Sequence, residues 1–219
     1  MRDLAIFGAG GFGREVACLI NAINKVEKKW NLIGFFDDDT SKKDTDNQYG
    51  KVIGGMAELN AYPTDLAIVM TIGVPAVVKK VVSLITNERV YFPNIISPDI
   101  IYLDEPSFKI GQGNLIMFQS LISYDISIGD FNLFNCGVSL GHETTMGSYN
   151  SMMSYTKISG EVSIGDANYF GVSSVVLQRR KIGDDTTIGT NSVIMRDTRN
   201  GSTYLGNPAA ELLKPNIKK

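Results

Sequence analysis

From residue 110 onward an apolar residue falls at every sixth position. The series runs Ile110, Ile116, Ile122, Ile128, Phe134, Leu140, Met146, Met152, Ile158, Ile164, Phe170, Val176, Ile182, Ile188 and Ile194, fifteen positions in strict register without an insertion. Neither the 3.6-residue helix period nor the two-residue strand period produces this spacing. Periods of this kind mark solenoids, in which each unit is too small to bury its own apolar face and must stack on its neighbours. A second period lies over the first. Ile110, Ile128, Met146, Ile164 and Ile182 are each followed by glycine, and the hexads between them are less uniform. Three hexads then form one eighteen-residue turn with three distinguishable sides. This predicts a three-sided parallel β-coil, with a short strand on each side and a small or permissive residue at each corner. Fifteen hexads make five turns, and stacking at about 4.8 Å gives a prism about 24 Å long.

The N-terminal half follows a different rule. Asp3 to Phe7, Leu32 to Phe36 and Leu66 to Ile72 read as short apolar strands. Arg14 to Asn24 and Pro75 to Thr86 read as helices, and Thr40 to Gly50 is polar and rich in turn residues. Strands alternating with helices predict a small parallel sheet, Rossmann-like, with helices on its faces. Residues 91–107 contain three prolines and read as a junction and irregular first edge of the coil. The expected division is therefore an α/β domain over 1–90, the junction 91–107, a coil over 108–196, and a C-terminal cover over 197–219. The cover reads as an extended exit, a Gly-Asn-Pro turn and a short helix, since an open coil end would pair with other chains.

Gly8-Ala9-Gly10-Gly11-Phe12-Gly13 fits G-x-G-x-x-G between a strand and a helix, and Asp37 lies 24 residues beyond Gly13. Taken alone, this is the pattern of a dinucleotide enzyme. The sheet is too short for two mononucleotide halves, and the remainder is coil with no second domain for hydride transfer. The physics of the loop holds regardless: glycine permits close backbone approach, and a helix N-terminus favours an anion such as a nucleotide diphosphate-sugar. A turn that only packs the helix close to the strand is the other reading.

The chain holds a single histidine, His142. In the eighteen-residue stack it lies over Tyr124 and under Gly160, which has no side chain. A thin ligand can lie against that bare strip. Glu143 follows His142, with Asp125 below and Glu161 above, and a nearby carboxylate raises the basicity of a histidine. Acyl transfer from a thioester at neutral pH needs a base of the kind histidine supplies. Arg179-Arg180-Lys181 forms a basic run, with Arg179 stacked over Glu161; it suits either an ion pair on a solvated face or the phosphates of a ligand. Cys136 lies on the coil six residues before His142, and Cys18 sits among the apolar residues of the first helix. Met146, Met152 and Phe170 read as packing.

Composition narrows the function classes. A net charge of −2 lacks the footprint of a general nucleic-acid binder. No apolar run approaches the roughly 20 residues of a membrane span. The N-terminus reaches glycine too early for a signal peptide. Two cysteines form no disulfide framework and no metal pattern, which points to a cytoplasmic protein without a metal.

Several segments resemble the bacterial nucleotide-sugar acetyltransferases of the hexapeptide-repeat class, the sialic acid O-acetyltransferase-like proteins that include N-acetyltransferases of UDP-linked 4-amino-sugars. These segments are IFGAGGFGREV at 6–16, GFFDDD at 34–39, TIG at 71–73, GHETTMG at 141–147, the coil itself and YLGNPAAEL at 204–212. The resemblance implies a left-handed parallel β-helix and an acetyl-CoA-dependent N-acetyltransferase of bacterial glycan biosynthesis, acting on a nucleotide-linked sugar of the UDP-4-amino-4,6-dideoxyhexose type. It implies His142 as general base and Glu143 as its orienting partner. Gly10, Gly11, Phe12, Asp37, Asp38 and Gly73 take the nucleotide-sugar positions; Ser151, Gly160, Val172 and Thr190 take those that contact acetyl-CoA. In some relatives the positions of Phe12 and Ser151 hold histidine. A homotrimer with sites between subunits is also implied. Two other readings keep the coil: O-acetylation of a sialic acid or another sugar hydroxyl, and a non-enzymatic nucleotide-sugar binding module.

Overall fold

The computed structural model describes residues 1–212. The N-terminal part is built from β1 (Arg2–Phe7), α1 (Gly11–Val26), β2 (Trp30–Phe36), β3 (Asp46–Asn47), β4 (Gly50–Gly54), α2 (Met56–Asn60), β5 (Leu66–Met70), α3 (Pro75–Leu84) and β6 (Val90–Tyr91). They form one sheet in the order β3-β4-β2-β1-β5-β6, parallel except for the short β3–β4 pair. Every residue of β5 is buried, as expected of a parallel strand covered on both faces. One face packs on Val16, Ala17, Leu19 and Ile20 of α1; the other packs on α3 through Val78 and Val81. Pro75 opens α3 at its first turn, where its missing N–H has no partner to lose. The polar stretch 40–50 conceals β3 and the start of β4, whose alternation is too short to register as a strand.

The second half is a three-sided, left-handed parallel β-helix. Its first face stacks strands from Ile95–Ile96 and Leu115–Ile116 through Thr187–Ile188. The second stacks Ile101–Tyr102 and Leu121–Ile122 through Val193–Ile194, and the third Lys109–Ile110 through Lys181–Ile182. The second residue of each strand points inward; from Ile116 to Ile194 all fourteen sixth-position residues are buried in one continuous core.

Three expectations are corrected. The coil begins at Ile95 rather than 108: the supposed junction holds its first two sides. Two extra residues in the corner containing Glu105–Ser107 put Tyr102 and Ile110 eight apart and hide these strands from a strict hexad count. The corners also do not depend on small residues. Positive φ recurs every six residues from Gly113 to Asn191, but only Gly113 and Gly137 on that series are glycine; Phe131, Glu143, Tyr149 and Arg179 adopt the same conformation. The glycines that follow the inward residues serve another purpose. A Cβ on Gly111, Gly147 or Gly165 would meet the carboxylate of Asp130, Asp166 or Asp184 in the turn above. Those carboxylates accept backbone N–H groups eighteen residues back, so the glycines make room for a side-chain ladder.

The end of the coil differs too. Thr203–Gly206 continues the first face and pairs antiparallel with Ala209–Glu211. A hairpin occupies the place of the expected helix through residue 212; the rest of that expectation, 213–219, lies outside the described residues. The α/β domain sits on the first face, where Leu115, Met117 and Leu133 join the cluster of Leu4, Ile6 and Val16.

Candidate active site

His142 follows the second-face strand Ser139–Leu140 and stands on the edge between the second and third faces. The backbone turns here, with Glu143 at φ 57°. This turn aims both side chains away from the core. His142 Nδ1 lies 3.0 Å from Glu143 Oε2. A carboxylate only accepts, so in the neutral imidazole the proton sits on Nδ1 and the lone pair on Nε2. The imidazole stacks on Tyr124 one turn below, with centroids 5.6 Å apart and planes 12° from parallel. On the other side it reaches over Gly160, where any Cβ would run into its Nε2, Cε1 and Cδ2. The Gly160 N–H meets no acceptor among the described residues.

Within the expected column of acids, Glu161 is paired. Arg179 Nε lies 3.1 and 3.0 Å from the two oxygens of Glu161, and Gln178 donates at 2.7 Å. Arg179 first and then Gln178 hold the Glu161 carboxyl below its ordinary range. A ring nitrogen of His142 and one carboxylate oxygen each of Glu143 and Glu161 lie within 4.8 Å of one another. The basic run thus starts as a partner of this column. Sequence reasoning placed Arg179 over Glu161 but did not find Gln178, which the stack sets directly above Gly160.

The glycine loop forms a second centre. Gly10 caps α1 with no side-chain bond, and nothing lies within 4 Å of a Cβ built on Gly10 or Gly11. The start of a sixteen-residue helix is therefore open to an anion. Gly13 must be glycine, because a Cβ would strike the Gly8 carbonyl. Phe12 and Gly73 line a cavity of about 330 Å³ together with Glu15, Thr71, Leu133, Asn135 and Met153. The last three belong to the coil, so the cavity lies where the two halves meet.

Asp37 and Asp38 stand differently from Gly10, Gly11, Phe12 and Gly73. Asp37 accepts the Ala9 N–H at 2.8 Å, the Asp39 N–H at 2.9 Å and the Lys42 ammonium at 3.0 Å. Partial burial pushes its carboxyl up, but the Ala9 and Asp39 N–H groups and Lys42 outweigh this and hold it low. Asp38 accepts the Met56 N–H at 2.8 Å and lines a separate cleft of about 220 Å³ beside Gly54 and Gly55. Both carboxylates already hold neighbouring backbone in place.

The four positions expected to meet acetyl-CoA do not cluster within one chain. Gly160 lies against His142. Val172 and Thr190 stack one above the other on the preceding edge, between the first and second faces, and both are exposed. That edge carries Asn135 and Met153 of the cavity lower down. Cys136 is on it as well rather than beside His142, and burial pushes its thiol up. Ser151 is on the first face, 2% exposed, under the α/β domain.

Among the described residues no helix is long and apolar enough to cross a membrane. Residues 3–85 match the family described as the PglD N-terminal domain. Among solved structures, the acetyltransferase domain of PglB from Neisseria gonorrhoeae FA1090 is 26% identical, with 97% of this chain and 100% of that one covered and a TM-score of 0.87. WeeI from Acinetobacter baumannii AYE is 27% identical over 97% and 100% of the two chains, with a TM-score of 0.86. PerB from Caulobacter crescentus, solved with CoA and GDP-perosamine, is 22% identical over 97% and 98%, with a TM-score of 0.83. No curated protein sequence matches the chain. The resemblance drawn from the motifs therefore stands: both halves are built and joined as in the hexapeptide-repeat nucleotide-sugar acetyltransferases.

Proposed function

We propose that this chain, an acetyl-CoA-dependent acyltransferase of the hexapeptide-repeat class, acetylates the amine of a nucleotide-linked amino-sugar of the 4-amino-4,6-dideoxyhexose type, with His142 as general base. One observation carries this reading: the only imidazole of the molecule is held by Glu143 at Nδ1 while Nε2 faces a bare backbone strip on an accessible edge. The sugar nitrogen attacks the thioester carbon as its proton passes to Nε2. The carbon–sulfur bond then breaks, and the CoA thiolate leaves and takes up a proton. The Gly160 N–H is the donor available to the oxygen that gains charge during attack. The pyrophosphate of the sugar nucleotide suits the open N-terminus of α1, where Gly10 and Gly11 allow close approach.

Within one chain these two centres stand on different edges of the prism, separated by the second face. Its outward row is Ile101, Leu121, Ser139, Lys157, Val175 and Val193, four of six apolar, whereas the third face shows Lys109, Ser127, Thr145, Ser163 and Lys181. Three copies packed on their second faces would set the His142 edge of one against the Val172–Thr190 edge of the next. This arrangement supports a homotrimer with shared sites.

The test is thiol release from acetyl-CoA with a panel of UDP-, dTDP-, GDP- and CMP-linked sugars bearing amine or hydroxyl acceptors. Release with an amino-sugar, lowered about 10²–10⁴-fold in His142→Ala, is the expected result. Wild-type turnover in that variant overturns the base assignment; release with hydroxyl sugars alone makes the chain an O-acetyltransferase.

A further inference from the structure

Tyr124 has no part in the chemistry above, yet its ring stacks on that of His142. Its own packing does not explain it: the residue is 47% exposed. Its hydroxyl meets no hydrogen-bond partner among the described residues. An aromatic ring at an exposed corner, outside the core, stands against the imidazole eighteen residues on, 5.6 Å away and 12° from parallel.

The other restraints on that imidazole leave one motion open. Glu143 fixes the direction of Nδ1, but its side chain is 48% exposed, and a single exposed side-chain contact holds geometry weakly. The plane of the ring turns by rotation about Cβ–Cγ, and this one exposed hydrogen bond resists that rotation only weakly. Gly160 removes a clash above the ring without gripping it. The stack below is the contact that sets the plane.

We infer that Tyr124 is a positioning residue: its ring is a shelf that fixes the plane of His142, so that Nε2 stays aimed across Gly160. This rests on His142 being the base, and the test separates the two ideas. Tyr124→Ala is expected to lower kcat about three- to tenfold, the rate equivalent of an aromatic stacking preference. KM for acetyl-CoA and for the sugar nucleotide should stay within about twofold, since the lost contact acts on the base and not on bound substrate. Tyr124→Phe, which keeps the ring and drops the hydroxyl, is expected to restore kcat.

A second readout needs no turnover. The chain contains one histidine, so the imidazole proton resonances of histidine-labelled, tag-free protein report on His142 alone. Ring-current shielding should move them upfield in wild type and in Tyr124→Phe, and Tyr124→Ala should return them toward free-histidine values. Unchanged resonances in Tyr124→Ala overturn the shelf. A loss of kcat in Tyr124→Phe equal to that in Tyr124→Ala overturns it too, because the hydroxyl would then be the active part. If His142→Ala keeps wild-type turnover, the base assignment falls while the resonance shift still decides whether Tyr124 holds the ring.

Discussion

Gly160 shows how a single missing carbon serves a site. Its φ is outside the left-handed region, so its backbone tolerates alanine; the nearest atoms to an added Cβ all belong to the His142 ring. Gly160→Ala should therefore leave the melting temperature near wild type and push turnover down toward that of His142→Ala. A large loss of melting temperature would mean that the glycine serves the coil and not the histidine. Asp37 teaches the opposite lesson. From sequence it stands where a ribose-binding acid would, yet its carboxylate is tied to Ala9, Asp39 and Lys42. Those ties became visible only once the loop after β1 and the turn after β2 met in space. Its folded pKa lies below the ordinary 3.8, so its stabilisation is present above that value and is lost as pH falls through the folded pKa. Glu58, held at about 2 first by Lys43 and then by the Gly55 N–H, acts with the same sign below its ordinary 4.5. The melting temperature should drop below about pH 4, and the drop should be smaller in Asp37→Asn; an equal drop in both removes Asp37 from the account. His142 and Glu143 were legible because one histidine leaves no competitor. The stacking neighbours Tyr124 and Gly160 followed from the eighteen-residue period, but the plane of the ring did not, because side-chain torsions leave no trace in spacing.

At the scale of elements, the coil is held by more than its apolar column. Asn114, Asn132, Asn150 and Asn168 repeat at eighteen and are almost wholly buried. Each Oδ1 accepts the backbone N–H of the residue above, from 2.7 to 3.0 Å. Nδ2 of Asn114 and Asn150 also reaches the carbonyls of Gly129 and Gly165. Asn150→Leu removes the acceptor for the Asn168 N–H and Nδ2 and the donor to Gly165. At about 1–3 kcal/mol for each orphaned buried group, it should cost several kcal/mol. Urea unfolding checks this; a loss below about 1 kcal/mol would show that water replaces the rung. Apolar residues at every sixth position were plain in the sequence because burial imposes them on all three faces. The asparagine rungs recur on one corner only and are interspersed with ordinary turn residues, so the eye passes over them. The first two strands of the coil were hidden for a different reason: the Glu105–Ser107 corner adds two residues, and a strict register cannot cross it.

For the whole molecule, the proposed division of the site between subunits makes a prediction that no single-chain enzyme shares. His142→Ala lacks the base, and Gly11→Asp places a negative charge at the open N-terminus of α1; each should be inactive alone. If every site takes its base from one subunit and its nucleotide from the next, random assembly of equal amounts restores about one quarter of the sites. Co-refolding the two variants and measuring thiol release checks this, and zero recovery would place each site within one chain. The same geometry governs how such a gene can change length. Removing eighteen residues from within the coil leaves every later side chain on its original face and lowers the stack by about 4.8 Å. Removing six turns everything downstream by a third of a revolution and exchanges one edge for another. The coding sequence is thus quantised: whole turns, or small expansions at a corner such as the one before Lys109, are the steps that keep the base and its partner edge in line.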